Sequence, residues 1–258
     1  ISGSTLNVTR ILQNYITQST FYNSIITMDV SENNGVQTWS LNKFIGNTLL
    51  AQDRSFSDTE TKVMVMPVNP IKISKSVTGL LLINIDRNEG NINLIMNEMS
   101  GNTLKVEEDE LYTKLSFLLV TIEGSKTRQP LILSDFTFKN NVYQNAKNFT
   151  FHKELNGLFS LLVGNSRCVI TNSHFQDIII ESQGNSLFYI AANDTTIVGN
   201  TFSGINMYRQ NAVFDITSLV LGISDNTFSE IRLTGVGVLV LNPSSPNEGI
   251  EYDVKVFV

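Results

Sequence analysis

The stretches "VGNTFSGI" (198–205) and "SDNTFSEI" (224–231) are near copies of one another, set 26 positions apart. The segments downstream of them are also alike: "NAVFDITS" (211–218) after the first and "GVGVLVLN" (235–242) after the second. Self-similarity at a fixed period is the mark of a repeat architecture. Aligned on the Phe of N-T-F, one column runs through Phe21, Leu49, Leu104, Phe138, Phe175, Phe202 and Phe228, with spacings of 28, 55, 34, 37, 27 and 26. Reading 55 as two periods puts a degenerate member at Val77, in "SKSVTGL", and gives about eight coils.

A second column aligns without gaps. Phe159, Phe188, Phe214 and Val238 share one place, and Leu161, Ile190, Ile216 and Val240 share the place two residues on. Ser160, Tyr189, Asp215 and Leu239 lie between them and are mixed in character. This alternation is that of a strand with one buried face. "LSFLLVT" (115–121) offers Phe117 and Leu119 to the same two places. Asn156, Asn185 and Asn211, each three residues before its column Phe, read as a turn ladder. Asn tolerates the left-handed backbone that such a turn needs, and its amide can bond a stacked neighbour.

A period near 27 with no helical periodicity excludes helical repeats, and propeller blades need about 40 residues. The leucine-rich pattern is not repeated. An all-β fold of stacked coils remains, in which each column recurs above itself about every 4.8 Å. Composition agrees: 29 Asn and only 5 Ala among 258 residues suit short strands broken by turns. The expected organisation is one domain over 1–258, with residues 1–17 as a cap or partial coil and insertions at 104–114 and 140–155. The first residues, "ISGSTLNVTR", lead to the expectation that the chain is part of a longer protein.

The repeated N-T-F-x-x-I coils with alternating apolar strands resemble the right-handed parallel β-helix, or pectin-lyase-like, superfamily. "FKNN" (138–141) also resembles the F-x-x-N element of polymorphic outer membrane protein repeats, whose companion G-G-A-I element is missing here. The resemblance implies a right-handed parallel β-helix solenoid, and a superfamily rich in polysaccharide lyases and glycosidases. The Asp-Asp pair and Gly-His-Gly of galacturonase-like members are absent.

Candidate chemistry is sparse. Glycoside hydrolysis needs two facing carboxyls about 5–10 Å apart. Asp177 and Glu230 occupy equivalent places two coils apart, roughly 9.6 Å. With Asp215 they are the candidate catalytic carboxylates, although exposed strand carboxylates are ordinary. His152 and His174 lack a Cys or carboxylate at ligand spacing, so neither a metal nor a cofactor is expected. Cys168, alone in the chain, reads as a small buried apolar residue. Trp39, Tyr189 and Tyr208 are candidates for stacking on carbohydrate, with Trp39 more at home in a core. Asn7, Asn148 and Asn193 head N-x-S/T sequons, the acceptor pattern of a secreted glycoprotein. A net charge of −6 excludes the basic stripe of a nucleic-acid binder. No apolar run approaches the roughly 20 residues of a membrane helix.

The expectation is a noncatalytic extracellular or cell-surface structural or adhesive module. Its coil ends would be capped by further copies or other subunits, as in a filament. The alternative is a polysaccharide lyase, a glycoside hydrolase or a carbohydrate-binding β-helix.

Overall fold

The structure, a computed structural model, describes residues 2–22, 25–51, 62–65, 69–72, 77–106, 114–125, 129–144, 157–181, 186–208, 212–234 and 237–241. It is all-β, and with one exception every strand pairing among the described residues is parallel. The exception is a hairpin of Lys62–Val65 with Asn69–Lys72.

Four ladders carry most of the strands. The first joins 2–6, 26–33, 81–88, 118–124, 157–164, 186–192, 214–217 and 239–241. The second joins 8–12, 36–40, 92–95, 130–134, 167–171, 194–198 and 220–224. The third joins 15–17, 43–45, 98–100, 137–139, 174–176, 201–203 and 227–229. The fourth joins 20–22, 48–51, 103–106, 142–144, 179–181, 205–207 and 232–233. The described chain thus passes the same four stations seven times and begins an eighth pass at Leu239–Leu241.

Four long strands, Ser2–Leu12, Ile26–Ser40, Gly157–Thr171 and Ser186–Val198, bend and serve the first and second ladders at once, and two of them close a ring. Ile26–Ser40 pairs first with Leu81–Asn88 and then with Ile92–Ile95. Gly157–Thr171 pairs first with Leu118–Gly124 and then with Pro130–Ser134. The hydrogen-bonded path therefore closes on itself through these six strands. At the earlier bend Asn33 Nδ2 donates to Asn88 Oδ1 at 2.6 Å, and a Cβ on Gly90 would collide with the Gly35 carbonyl. Gly at 90 is what lets the two backbones approach.

The sharper corners have one recipe. A residue with positive φ is followed by a residue that is most often Asn, and then by the next strand. At the corner before the third ladder the left-handed residues are Gln13, Leu41, Met96, Asp135, Asn172, Gly199 and Asp225. At the corner before the fourth they are Gln18, Gly46, Gly101, Asn140, Asp177, Gly204 and Glu230. The Asn that comes next forms an interior ladder. Asn42 Oδ1 accepts from Asn14 N (3.2 Å) and Nδ2 (2.8 Å), and Asn42 in turn donates to Asn97 Oδ1 from N (3.1 Å) and Nδ2 (2.9 Å). Phe136 breaks that column, which resumes with Ser173, Asn200 and Asn226. At the other corner Ser19, Asn47, Asn102 and Asn141 are linked in the same way. Each amide also donates to a backbone carbonyl, such as Asn102 Nδ2 to Phe44 O at 2.8 Å. Corner backbone groups that would be unpaired in an apolar interior are satisfied by these amides.

The core lies between the ladders. Phe175, Phe202 and Phe228 form one stack, with centroids 5.0 and 4.9 Å apart and planes within 9°. Phe159, Phe188 and Phe214 form a second, at 4.8 and 5.3 Å. The two stacks meet edge to face, as in Phe202–Phe214 at 5.2 Å and 84°. Each such pair adds about 0.5–1.5 kcal/mol to the burial of the rings themselves.

Several expectations are corrected. The N-T-F/L column is two columns: Leu49 and Leu104 belong to the fourth ladder, whereas Phe138, Phe175, Phe202 and Phe228 belong to the third beside Phe44 and Met99. Both corners use the same left-handed–Asn–Thr–apolar wording, five residues apart, so the alignment slid from one to the other. No coil is centred on Val77. Phe44 pairs directly with Met99, 55 positions on, and Val77–Thr78 pairs with Lys114–Leu115. In the second column Phe214 lies opposite Leu239 rather than Val238, and Phe159 opposite Leu118 rather than Phe117. Of the two alternatives for residues 1–17, a cap or a partial coil, the pairing of 2–12 and 15–17 in the first three ladders agrees with the coil. The insertions begin later than expected, because Thr103–Val106 and Val142–Gln144 are ladder strands. Asn156, Asn185 and Asn211 lie outside the described residues.

Candidate functional site

The longest connections, 52–76, 107–113 and 145–156, all enter at one corner, between the fourth ladder and the first ladder of the next turn. Insertions collected on one face of a repeat array are where binding usually sits. The outer face of the first ladder, beside that corner, is accordingly the candidate surface.

Its outward residues divide into an apolar and a polar half. Leu82, Leu119, Leu162 and Ala191 point away from the main core yet are buried, with Tyr189 packed against them. Lys62–Val65 lies against the strands that carry Leu119 and Leu162. Further along this ladder, on Ile26–Ser40, Leu81–Asn88 and Leu118–Gly124, polar and charged residues take over. Asn84 Nδ2 donates to Asp29 Oδ1 at 2.7 Å, and Arg87 lies 3.8 Å from Glu32. Asp86 and Glu123 sit side by side, between the paired positions Ile85↔Ile122 and Arg87↔Gly124. Burial first, and the Asp86 charge second, push the Glu123 carboxyl above the ordinary carboxylate range. Two carboxyls on neighbouring strands, one of them raised by burial, are an arrangement from which acid–base chemistry can be built. The sequence alone does not disclose this pair. Its signal is the matched phase of "INIDRN" (83–88) and "VTIEG" (120–124), legible only once Leu81 is known to lie opposite Leu118.

The carboxylates singled out in the sequence have other places. Asp177 and Glu230 are exposed left-handed corner residues, at φ 51° and 55°, with Gly204 between them in the stack. Asp215 lies on the outer face of the first ladder opposite Tyr189, so the three do not share a face. Burial first, and Asp215 second, raise the Tyr189 hydroxyl. Among the described residues, no group of three or more His, Cys, Asp or Glu side chains is arranged to hold a metal ion. His174 is exposed on the third ladder, and His152 lies outside the described residues.

Trp39 is 1% exposed and belongs to the core, Tyr189 is partly covered, and Tyr208 is 48% exposed. Of the sequons, Asn193 is 8% exposed and its Nδ2 donates to Asp194 Oδ1 at 2.9 Å. Asn7 lies in Ser2–Leu12 at the register shift between Leu6 and Val8, and Asn148 lies outside the described residues. No described helix is long and apolar enough to cross a membrane.

Comparison of the chain with protein-family models, with curated proteins and with solved structures finds no match in any of the three.

Proposed function

We propose that the chain is a right-handed parallel β-helix solenoid of the pectin-lyase-like kind, working as a noncatalytic structural or adhesive module outside the cell or at its surface. The observation that carries this reading is the place of Asp177 and Glu230. They fill the same left-handed corner as Gln18, Gly46, Gly101, Asn140 and Gly204, a position fixed by chain geometry in every turn. The two carboxylates singled out from the sequence therefore do a backbone's work. The test is incubation of the full chain with polyuronides and neutral polysaccharides, monitoring new reducing ends and unsaturated products. Binding without turnover is expected. Turnover abolished by Asp177→Asn or Glu230→Gln would overturn the reading.

A second reading, a polysaccharide lyase or glycoside hydrolase, is favoured by Asp86 and Glu123. Their neighbouring strands put them one ladder spacing apart, about 4.8 Å along the stack, near the separation of a retaining pair. Turnover removed by Glu123→Gln and by Asp86→Asn, with folding unchanged, would establish it.

A further inference from the structure

We infer that the interior of the coil binds an ordered water between the side chains of Gln37 and Trp39, and that this water heads a chain of amides pinning the bend of Ile26–Ser40. The inference goes beyond the proposed function and is independent of it.

The direction of the amide chain is set at its far end. Gly90 O can only accept a hydrogen bond, so Asn88 presents its Nδ2, which donates to it at 2.7 Å. That leaves Asn88 Oδ1 to accept, and Asn33 Nδ2 donates to it at 2.6 Å. Asn33 Oδ1 accepts in its turn, from Gln37 Nε2 at 2.6 Å and from Gly35 N at 3.3 Å. Turning any one of the three amides over would set acceptor against acceptor. Gln37 Oε1 is therefore the end left over. Gln37, Asn33 and Asn88 are all fully buried, and among the described residues no group donates to Gln37 Oε1.

Two residues along the same strand is the complementary orphan. Trp39 is buried too, and its Nε1–H has no acceptor among the described residues. The side chains of its register partners, Ile11 and Leu94, offer none. Positions 37 and 39 lie on one face of the strand, and both side chains project inward. An acceptor without a donor and a donor without an acceptor thus start from Cα atoms about 6.6 Å apart. A water spans such an interval. Its oxygen accepts from Trp39 Nε1–H and one of its hydrogens goes to Gln37 Oε1, the two bonds together reaching about 5–6 Å. Without it both groups bear the cost of desolvation with no return, which native interiors rarely tolerate. Buried waters occur where polar groups would otherwise be unpaired. An anion would be repelled by Gln37 Oε1 and a metal ion by the Trp39 N–H, whereas water both donates and accepts.

The position of the chain of amides gives the water its role. Asn33 and Gly35 lie where Ile26–Ser40 leaves the first ladder for the second, and Asn88 and Gly90 lie at the same bend one turn on. The polarised run from water through Gln37, Asn33 and Asn88 to Gly90 O ties the two bends together, and the water supplies the donor that its head lacks.

The test uses the full chain, isotopically labelled for NMR. Trp39 is its one tryptophan, so the indole N–H gives a single signal. That signal is expected to show a cross-peak to water, of opposite sign in laboratory-frame and rotating-frame Overhauser spectra, as a water held for longer than the tumbling time requires. Gln37→Met keeps the length of the side chain and removes its acceptor, so the cross-peak should be lost while the dispersed amide spectrum remains. Absence of the cross-peak in the wild type would overturn the inference. Peaks of the same sign would do so too, since they mean proton exchange with bulk solvent. A cross-peak unchanged in Gln37→Met would also overturn it, because other groups would then hold the water. The wild-type reading stands whether or not the variant folds, and none of these results bears on polysaccharide turnover.

Discussion

The side-chain oxygen of Asn102 accepts two hydrogen bonds from Asn47, one from its backbone N–H and one from its Nδ2, both at 3.0 Å. Asn102 Nδ2 also donates to Phe44 O at 2.8 Å, and its N–H donates to Asn141 Oδ1 at 2.9 Å. All of this is sealed from solvent, with Asn47, Asn102 and Asn141 fully buried. Asn102→Leu keeps the volume but strands the Asn47 N–H and the Phe44 carbonyl. Each orphan costs about 1–3 kcal/mol. The expected loss is about 3 kcal/mol, read as a lower urea midpoint at unchanged slope. In later turns the same column carries Ile178 and Ile205, both buried. Ile205→Asn, whose new amide would have no matching partner above or below, should be similarly costly.

The part of this fold that is legible in the sequence depends on what the repeats share. Phe175, Phe202 and Phe228 can be stacked from spacing alone because their turns differ by 27 and 26 residues with no insertion. The earlier turns cannot. Their extra residues enter between ladders, so the interval from Met99 to Phe138 is 39 and says nothing of the coil's own length. The corner rule is half visible. Asn reads as the turn residue, but the spacing points to partners before the first ladder, whereas the described amide ladders lie at the third and fourth. Leu41 and Met96 hide the rule, because neither announces a left-handed corner. The Asp86–Glu123 pair is invisible for a different reason: two carboxylates in separate turns become neighbours only through a register that sequence does not supply.

Leu41 (φ 57°) and Met96 (φ 53°) hold positions that Asn172 and Gly199 fill in later turns, and they are 42% and 54% exposed. A left-handed backbone costs an ordinary L-residue about 1–2 kcal/mol, less for Asn. Neither side chain recovers that cost by burial. Leu41→Asn and Met96→Asn should each stabilise the fold, by roughly 0.5–1 kcal/mol. The reverse change, Gly204→Leu, should destabilise it, since φ there is 62° and a Cβ would run into Asp177 Oδ1. Thermal unfolding of the three variants side by side tests the sign of each.

Cys168 lies at the centre of the second ladder's inner face, and burial pushes its thiol up to about 12 from 9.0. The folded thiol therefore keeps its proton where the unfolded one ionises. Below pH 9 there is no effect. Stability falls as pH rises from about 9 toward 12, because the unfolded chain releases a proton that the folded chain retains. Cys168→Ala should flatten that alkaline decline while leaving a small cavity. A thiol reagent at about pH 8 should label the folded chain only as fast as it opens, and the unfolded chain at once.

On the outer face of the third ladder Glu98 lies between two cations, 3.2 Å from Lys43 and 3.7 Å from Lys139. Burial pushes its carboxyl up, but the Ser100 hydroxyl, Lys43 and Lys139 outweigh burial and hold it below the ordinary value of 4.5. A depressed carboxyl contributes stability above its unfolded pKa and loses it as pH falls through the folded one. The difference in stability between the wild type and Glu98→Gln should hence shrink as pH drops below 4.5. Denaturant midpoints at about pH 7, 5 and 3 give the comparison; a difference that grows toward low pH would reverse the assignment.

Phe202 touches four rings: Phe175 and Phe228 along its own stack, at 5.0 and 4.9 Å, and Phe188 and Phe214 across the core, at 6.4 and 5.2 Å. Phe202→Ala removes about 3–5 kcal/mol, by lost transfer and by the cavity left behind. Phe228 has fewer neighbours and is only partly buried, so Phe228→Ala should cost clearly less. The two rings are stacked, and removing either already empties their shared contact. The double variant should accordingly lose less than the sum of the singles, by about 0.5–1.5 kcal/mol. Strict additivity would mean that the two rings do not support one another.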